Sequence, residues 1–313
     1  MTRDLYSEVT DNLVAQIEAG AGDWRKPWAT QAAAGMPVNA CTGHEYRGVN
    51  VLSLWGAGAA KGYPTAQWAS FKQWIAAGAA VRKGEKGTLI VYAGAFTPKG
   101  AEGASGAGDA SDVGQPTAEQ RTRHFLRCSH VFNVAQVQAI EGSGWTAPKA
   151  PELPHLASRI DAAEAFVAAT RATIRHGGDR AFFAPELDYV GMPERAAFRD
   201  TPTSTATENY YSTLLHELTH WTGHASRLAR EFGKRFGSDA YAAEELVAEL
   251  GAAFLCAQLG IAATPRADHA QYLANWLRVL KSDKRAIFTA AARASDASDY
   301  LRNLQPVALP IAA

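Results

Sequence analysis

One short segment, His216-Glu217-Leu218-Thr219-His220, constrains this chain most strongly. In an α-helix, residues four apart share a face, so the two imidazoles point towards one place. Imidazole nitrogen is a good zinc ligand, and Glu217 beside the first histidine can act as a general base. The spacing therefore predicts a helix over about Thr207 to Thr222 with a site of the metallopeptidase type. Zn²⁺ is the expected ion, and Mn²⁺ or another divalent ion is the alternative.

A catalytic zinc needs a third protein ligand and an open fourth position. The run from His216 to Gly223 begins like the metzincin pattern, in which a third histidine follows three residues after the glycine. Ser226 occupies that position here, and the nearby His224 follows the glycine directly. The metzincin arrangement is therefore excluded.

The next helix, predicted over Tyr241 to Leu259, offers another source of the third ligand. Gluzincins use a Glu from a downstream helix, and an acidic or amide residue four positions later orients a ligand histidine. Glu245 and Glu249 have this spacing, whereas Glu244 is followed at that distance by Ala248. We predict Glu245 as the ligand and Glu249 as the partner of a histidine N–H. The reverse assignment, with Glu249 as the ligand, remains open.

Such a site would hydrolyse a peptide bond. Zinc lowers the pKa of its water towards ~7 and polarises the scissile carbonyl, and Glu217 would move the proton from that water to the leaving amine. Tyr210, Tyr211 and His224 are candidates for stabilising the oxyanion, and the sequence does not choose among them. The predicted strand Tyr189 to Met192 offers an edge to which an extended peptide could add.

The chain divides near the glycine- and proline-rich stretch 142–154. We predict one domain over residues 1–145 and another over 153–313. Residues 97–118 lack large apolar side chains and are predicted to form a disordered loop within the first domain.

Each predicted domain has its own mixture of elements. In the first we predict a helix from Leu5 ended by Gly20, a short helix over Thr65 to Ala77, and strands in 87–92 and 123–128, with 131–134 closing the sheet. The second is predicted to be mostly helical with a small sheet. Its elements are a helix over Ile160 to Ile174, a hairpin over Ala181 to Met192, and helices over 207–222, 241–259, 269–281 and 284–303. The fold class is therefore α+β.

The charge distribution makes the N-terminal half a candidate for binding nucleic acid. Lys and Arg together number 31, as do Asp and Glu, so the chain is neutral overall. Between Trp24 and Lys99, however, nine basic residues face two acidic ones, a net charge of +7, and five of the eight tryptophans fall in the first 74 residues. Cations that follow phosphates and rings that stack on bases are typical of proteins that bind single strands. Tryptophans that belong to the core are the alternative interpretation.

Two features of the sequence indicate where in the cell the protein is located. Cys41, Cys128 and Cys256 are far apart and form no CxxC pair, which fits a reducing environment. No apolar run approaches the ~20 residues of a membrane helix. We expect a cytoplasmic protein with no membrane partner.

Both halves resemble one known family. The motifs in 216–224, 227–230 and 244–254 resemble the zincin-like metallopeptidase domain of the ArdC family of plasmid antirestriction proteins. The motifs in 43–50, 71–73, 81–88 and 131–133 are similar to that family's N-terminal single-stranded-DNA-binding domain, which is related to the N-terminal part of TraC-type conjugative primases.

The resemblance implies binding of incoming single-stranded plasmid DNA during conjugation and its protection from host restriction, in a donor or recipient cell. A subunit of a restriction system is a possible protein substrate. The alternative is a non-enzymatic DNA-binding shield whose zincin fold is structural. The residues expected to contact DNA are Trp24, Lys26, Arg47, Asn50, Trp68, Lys72, Arg82, Lys83 and Lys86.

Overall fold

The computed structural model describes residues 4–20, 35–96, 123–149, 153–231, 239–262 and 269–306. It confirms the mixed α and β architecture expected from the sequence. Within these residues no helix is both long and apolar enough to cross a membrane. The predicted disordered loop 97–118, Trp24 and Lys26 lie outside the described residues.

The N-terminal half is built on a twisted sheet with helices beside it. In chain order its elements are α1 (Leu5–Gly20), β1 (Val38–Asn39), α2 (Val49–Lys61), β2 (Gln67–Ser70), α3 (Phe71–Ala76), β3 (Ala79–Val81), β4 (Thr88–Phe96), β5 (Arg123–Asn133) and β6 (Val137–Ala139). The main sheet has the order β1-β2-β5-β4, with β1 and β2 parallel and the other pairs antiparallel. Strands β3 and β6 form a second, antiparallel pair.

The structure confirms α1, which it describes up to Gly20, but corrects the helix predicted over Thr65 to Ala77. Residues 67–70 form β2, which pairs with β5, and only Phe71–Ala76 are helical. The chain passes from strand to helix at Ser70, whose side chain accepts a hydrogen bond from the Gln73 backbone N–H. In return, the Gln73 side chain accepts a hydrogen bond from the Ser70 backbone N–H. This reciprocal capping starts a helix directly from the end of a strand.

Helix α2 was not predicted. Two glycines at positive φ bound it, Gly48 before its first residue and Gly62 after its last. Gly56 and Gly58 lie inside it, and glycine costs about 1 kcal/mol per residue in a helix interior. Burial of its apolar side chains compensates for this cost.

The C-terminal half is mainly helical. Its elements are α4 (Leu156–Thr170), β7 (Thr173–His176), β8 (Phe182–Ala184), β9 (Tyr189–Met192), α5 (Ala206–Thr222), α6 (Asp239–Leu259), α7 (His269–Ser282) and α8 (Ala286–Asn303). The four C-terminal helices agree with the sequence prediction to within about two residues. Helix α4 ends four residues earlier than predicted, because Arg171 adopts a left-handed conformation (φ 56°) and the chain enters β7.

The small sheet has the order β7-β9-β8, which confirms the β8–β9 hairpin but corrects the role suggested for its second strand. Residues 189–192 form the central strand, so their backbone hydrogen bonds are directed to β7 on one side and β8 on the other. An extended peptide cannot add to a central strand, and the prediction that β9 offers an edge is wrong.

The two halves share one hydrophobic core. Side chains from α1 and α2 pack with side chains from α6, α7 and α8 in a single cluster. Trp55 of α2, for example, lies against Phe254 of α6 with ring centroids 5.7 Å apart. Polar contacts also cross between the halves: Arg302 pairs with Glu45 at 2.9 Å, and the Gly48 N–H donates to Ser295. The division into domains 1–145 and 153–313 stays a prediction, and the two halves pack against each other through this shared core.

Trp55 tests this shared core. Its ring is fully buried and its indole N–H donates to the Gly35 carbonyl. We expect Trp55→Ala to lower the free energy of unfolding by about 3–5 kcal/mol through the cavity it leaves. Both halves should lose stability in one calorimetric transition. Leu187→Ala, at an exposed position, is the control and should change the free energy of unfolding by less than about 0.5 kcal/mol. A separate transition for the metal-site half, unmoved by Trp55→Ala, would contradict a shared core.

Candidate metal centre

Helix α5 carries the two histidines of the motif on a buried face. It begins at a capping box in which Thr205 and Glu208 exchange side-chain and backbone hydrogen bonds. His216, Glu217 and His220 are all buried, and the two imidazole centroids are 4.9 Å apart. The helix therefore places two imidazoles together inside the protein, as the four-residue spacing predicted.

Helix α6 approaches α5 closely enough to reach these histidines. At the crossing, Gly251 faces Thr219, and a Cβ added to Gly251 would lie 2.5 Å from the Thr219 Cγ2 atom. No larger residue fits at position 251 without moving a helix. This close approach brings the acidic residues of the first half of α6 next to the imidazoles.

Glu245 lies between the two imidazoles. Its carboxylate oxygens are 3.5 Å from His216 Nε2 and 3.6 Å from His220 Nε2. One ligand atom from each of the three residues lies within 4.8 Å of the others, so the group could hold a metal ion. Ligand atoms around a tetrahedral zinc are roughly 3.4 Å apart when each bond is about 2.1 Å. The donor set and its spacing fit a zinc-like ion with one further position for a non-protein ligand.

The other nitrogen of each imidazole faces a different carboxylate. Glu249 is 3.6 Å from His216 Nδ1, and Glu244 is 3.2 Å from His220 Nδ1. Carboxylates in such positions fix the tautomer and orientation of metal-binding histidines. Because Glu249 faces Nδ1 and Glu245 faces Nε2, the geometry favours Glu245 as the third ligand.

The sequence did not identify the position of Glu244. Arg230 contacts its carboxylate at 2.8 Å, donates to the Thr219 carbonyl and the Thr222 hydroxyl, and is almost fully buried. The guanidinium compensates the charge of a carboxylate that would otherwise be costly to bury. The available signal was the pair of adjacent acids at the start of a buried helix, with an arginine in the preceding loop.

The electrostatics of the group favour a cation. Burial acts to lower the pKa of His220, but its hydrogen bonds to Glu244 and Glu245 dominate and raise the pKa to about 10. The pKa of His216 is raised by Glu245 and Glu249, again against the effect of burial. Burial would raise the pKa of Glu245, yet the two histidines hold it far below its usual range. A divalent ion could supply the positive charge that protons supply here.

The candidates for oxyanion stabilisation occupy different environments. The Tyr210 hydroxyl lies 2.9 Å from His176 Nε2, and the Tyr211 hydroxyl donates to Glu164. His224 is only half-buried, and its Nδ1 accepts a hydrogen bond from the Ser226 backbone N–H. An accepting Nδ1 leaves the proton of a neutral imidazole on Nε2. In that tautomer His224 offers an Nε2–H donor just beyond the metal-site helix.

The predicted DNA contacts separate into two groups. Trp68 is 1% exposed and packs with Leu54 and Val131, so the prediction that its ring binds DNA is wrong. The side chain of Asn50 both donates to and accepts from the Val91 backbone at 2.8 Å and completes the edge of β4, which makes it a structural residue.

The basic residues also differ in their surroundings. Arg47 pairs with Asp296 and Asp299 of α8 and so links the two halves. Arg82 pairs with Glu85 at 3.0 Å and donates to the carbonyls of Ala135 and Val137, just before and at the start of β6, which holds the turn 82–87 in place. Three of the predicted lysines have exposed side chains: Lys72, Lys83 and Lys86.

Comparison with known proteins decides the family. Residues 3–132 match the N-terminal domain of anti-restriction factor ArdC, and residues 161–293 match a zincin-like metallopeptidase family. The metal-free crystal structure of antirestriction protein ArdC from plasmid R388 is 37% identical, covers 96% of this chain and 98% of its own, and superposes with a TM-score of 0.74. The chain belongs to the ArdC family.

Other relatives agree with this assignment. The Mn(II)-bound structure of the same R388 ArdC protein is 36% identical with a TM-score of 0.72, over 96% of this chain and 98% of its own. Protein y4eC of Sinorhizobium fredii is 44% identical over 96% of this chain and 92% of its own length. DNA primase TraC of Escherichia coli is similar in two forms, 37% and 36% identical over 96% of this chain, which spans 20% and 27% of their lengths.

The ligand assignment predicts the metal content of variants. We expect about one zinc-like ion per chain in the purified protein. Glu245→Ala should lose most of it, whereas Glu249→Ala should weaken binding ~10- to 100-fold because it disturbs only the orientation of the His216 ring. Glu244→Ala should weaken binding at least as much and also destabilise the protein, because it leaves the buried Arg230 without its partner. Glu194→Ala, an exposed carboxylate in the same half, is the control. If mass spectrometry finds less metal in Glu249→Ala than in Glu245→Ala, the ligand assignment is reversed.

Proposed function

We propose that this protein protects incoming plasmid DNA from restriction by binding it as a single strand in its N-terminal half and by cleaving a protein at a divalent-metal site in its C-terminal half. The observation that carries the enzymatic part is a buried Glu217 beside a three-residue ligand set that leaves one position open. A purely structural zinc site is closed by four protein ligands and needs no adjacent base.

In this proposal His216, His220 and Glu245 hold Zn²⁺, with Mn²⁺ or another divalent ion as the alternative. The bound ion would supply Lewis acidity to a peptide carbonyl and to water. Glu249 and Glu244 keep each ring in the tautomer that presents Nε2 to the ion, and Arg230 stabilises the charge on Glu244.

Two further residues would handle protons and developing charge. The Glu217 carboxylate would accept a proton from the attacking water and then donate it to the leaving amine. We assign oxyanion stabilisation to the Nε2–H of His224, because the hydroxyls of Tyr210 and Tyr211 already contact His176 and Glu164. A preformed N–H donor stabilises a developing oxyanion without reorganising.

Charge and family relationships support the DNA-binding part. The described residues of the N-terminal half keep exposed lysines at 72, 83 and 86, whereas the acids Glu45 and Glu85 are paired with Arg302 and Arg82. The similarity to the ArdC N-terminal domain and to a DNA primase points in the same direction. We place the activity in the bacterial cytoplasm, with a restriction-system subunit as the protein substrate.

The variant Glu217→Ala distinguishes a peptidase from a non-enzymatic DNA-binding shield. The substitution removes the base but none of the three ligands, so metal content should be retained while protection of incoming DNA in recipient cells falls to the level of cells without the protein. Glu194→Ala, also in the C-terminal half, should protect like the wild type. Full protection by Glu217→Ala would contradict the peptidase and favour the non-enzymatic shield.

A further inference from the structure

An exposed aromatic ring stands at the junction of β2 and α3. Phe71, the first residue of α3, is 52% exposed, and its ring meets the edge of Phe132 on β5 with centroids 6.4 Å apart. Ile75, one turn along α3, is also exposed. We call Phe71, Ile75 and Phe132 the Phe71 platform. Large apolar side chains grouped at a surface indicate an interaction site more often than single ones do.

The platform is held rigidly. The capping box between Ser70 and Gln73 fixes the backbone on both sides of Phe71, and the Gln73 side chain also accepts a hydrogen bond from Asn39 of β1. Under the platform, the buried Trp74 donates its indole N–H to the Phe132 carbonyl. A ring already fixed in place loses little conformational entropy when a ligand covers it.

A basic turn borders the platform. A Cβ added to Gly87 would lie 3.0 Å from the Phe132 ring and 2.9 Å from the Cβ of His130, so the turn 82–87 passes directly against this side of β5. Lys83 and Lys86 of that turn are exposed, and Lys72 is the neighbour of Phe71 in sequence. The ion pairs formed among the described residues involve none of these three lysines, while Glu85, the acid of the turn, is paired with Arg82.

A flat exposed ring beside several exposed cations matches one kind of ligand. Bases of a single strand offer π-faces to stack on, and phosphates at the next positions offer negative charge. In a duplex the base faces are covered by their neighbours, so a stacking ring selects single strands. A protein partner could cover the apolar surface but would not present phosphates to the three lysines beside it.

We propose that Phe71 stacks on a base of single-stranded DNA, while Lys72, Lys83 and Lys86 contact the flanking phosphates. This inference rests on the proposed DNA-binding function and assigns it to a ring that lies in the motif 71–73 but was not among the residues predicted to contact DNA. It replaces Trp68, whose ring is buried, as the aromatic element of the site.

Anisotropy of a fluorescein-labelled oligothymidylate with the full-length protein tests the platform. We expect Phe71→Ala to weaken binding about 10- to 100-fold, the range that loss of one stacked base gives. Phe71→Leu should weaken it nearly as much because it keeps apolar surface but has no ring. Phe71→Trp should bind like the wild type, and Leu187→Ala, an exposed apolar residue in the other half, is the matched control.

The outcomes separate the platform from the wider function. If the wild type fails to bind the oligonucleotide, both the DNA-binding function and the platform are wrong. If the wild type binds and Phe71→Ala binds equally well, only the platform is wrong. Full affinity in Phe71→Leu would also overturn stacking. Unchanged thermal melting of the variants shows that lost affinity does not come from unfolding.

Discussion

The candidate metal centre depends on the close crossing of α5 and α6 at Gly251 and Thr219. With no side chain at residue 251, the helices come near enough for carboxylates on one to reach imidazoles on the other. The Thr219 hydroxyl donates a hydrogen bond to the Leu215 carbonyl of the same helix, so its polar group is satisfied within α5 at the crossing. The site is therefore a consequence of helix packing, and the positions of its ligands follow from the distance between the two helices.

Burying so many ionisable groups is tolerable only because each has a partner of opposite charge. The chain of contacts runs from Arg230 to Glu244, from Glu244 to His220, and from His220 to Glu245. Removing one member would leave a buried charge uncompensated, which costs several kcal/mol. The same network that orients the rings thus also links the two helices on which it lies.

Sequence periodicity predicted α1, α5 and α6 because each keeps its apolar residues at helical spacing. Helix α2 was not predicted because its apolar residues pack into two different clusters, Leu54 in one and Leu52 in another. Its glycines also weaken the helical pattern in the sequence. The pair His216 and His220 could be found because both lie on one helix. Glu244 could not, since its contact with His220 joins two helices and no spacing rule within one helix describes it.

The N-terminal half shows a different limit of sequence reasoning. Aromatic residues among basic ones drew attention to this half, but composition cannot say which rings are covered. Trp68 lies within the core, whereas Phe71, three residues later, lies at the surface because the chain turns from strand to helix at Ser70. The core shared by α2 and α6 then ties this half to the metal-site half.

A crystal structure of the zinc-loaded protein, with anomalous difference maps recorded at the zinc edge, tests the central claim most directly. The account predicts one strong peak about 2.0–2.2 Å from His216 Nε2, His220 Nε2 and a Glu245 oxygen. Glu249 and Glu244 should remain on the Nδ1 atoms. A peak ligated by Glu249 or Glu244, or a zinc bound away from the crossing of α5 and α6, would contradict it.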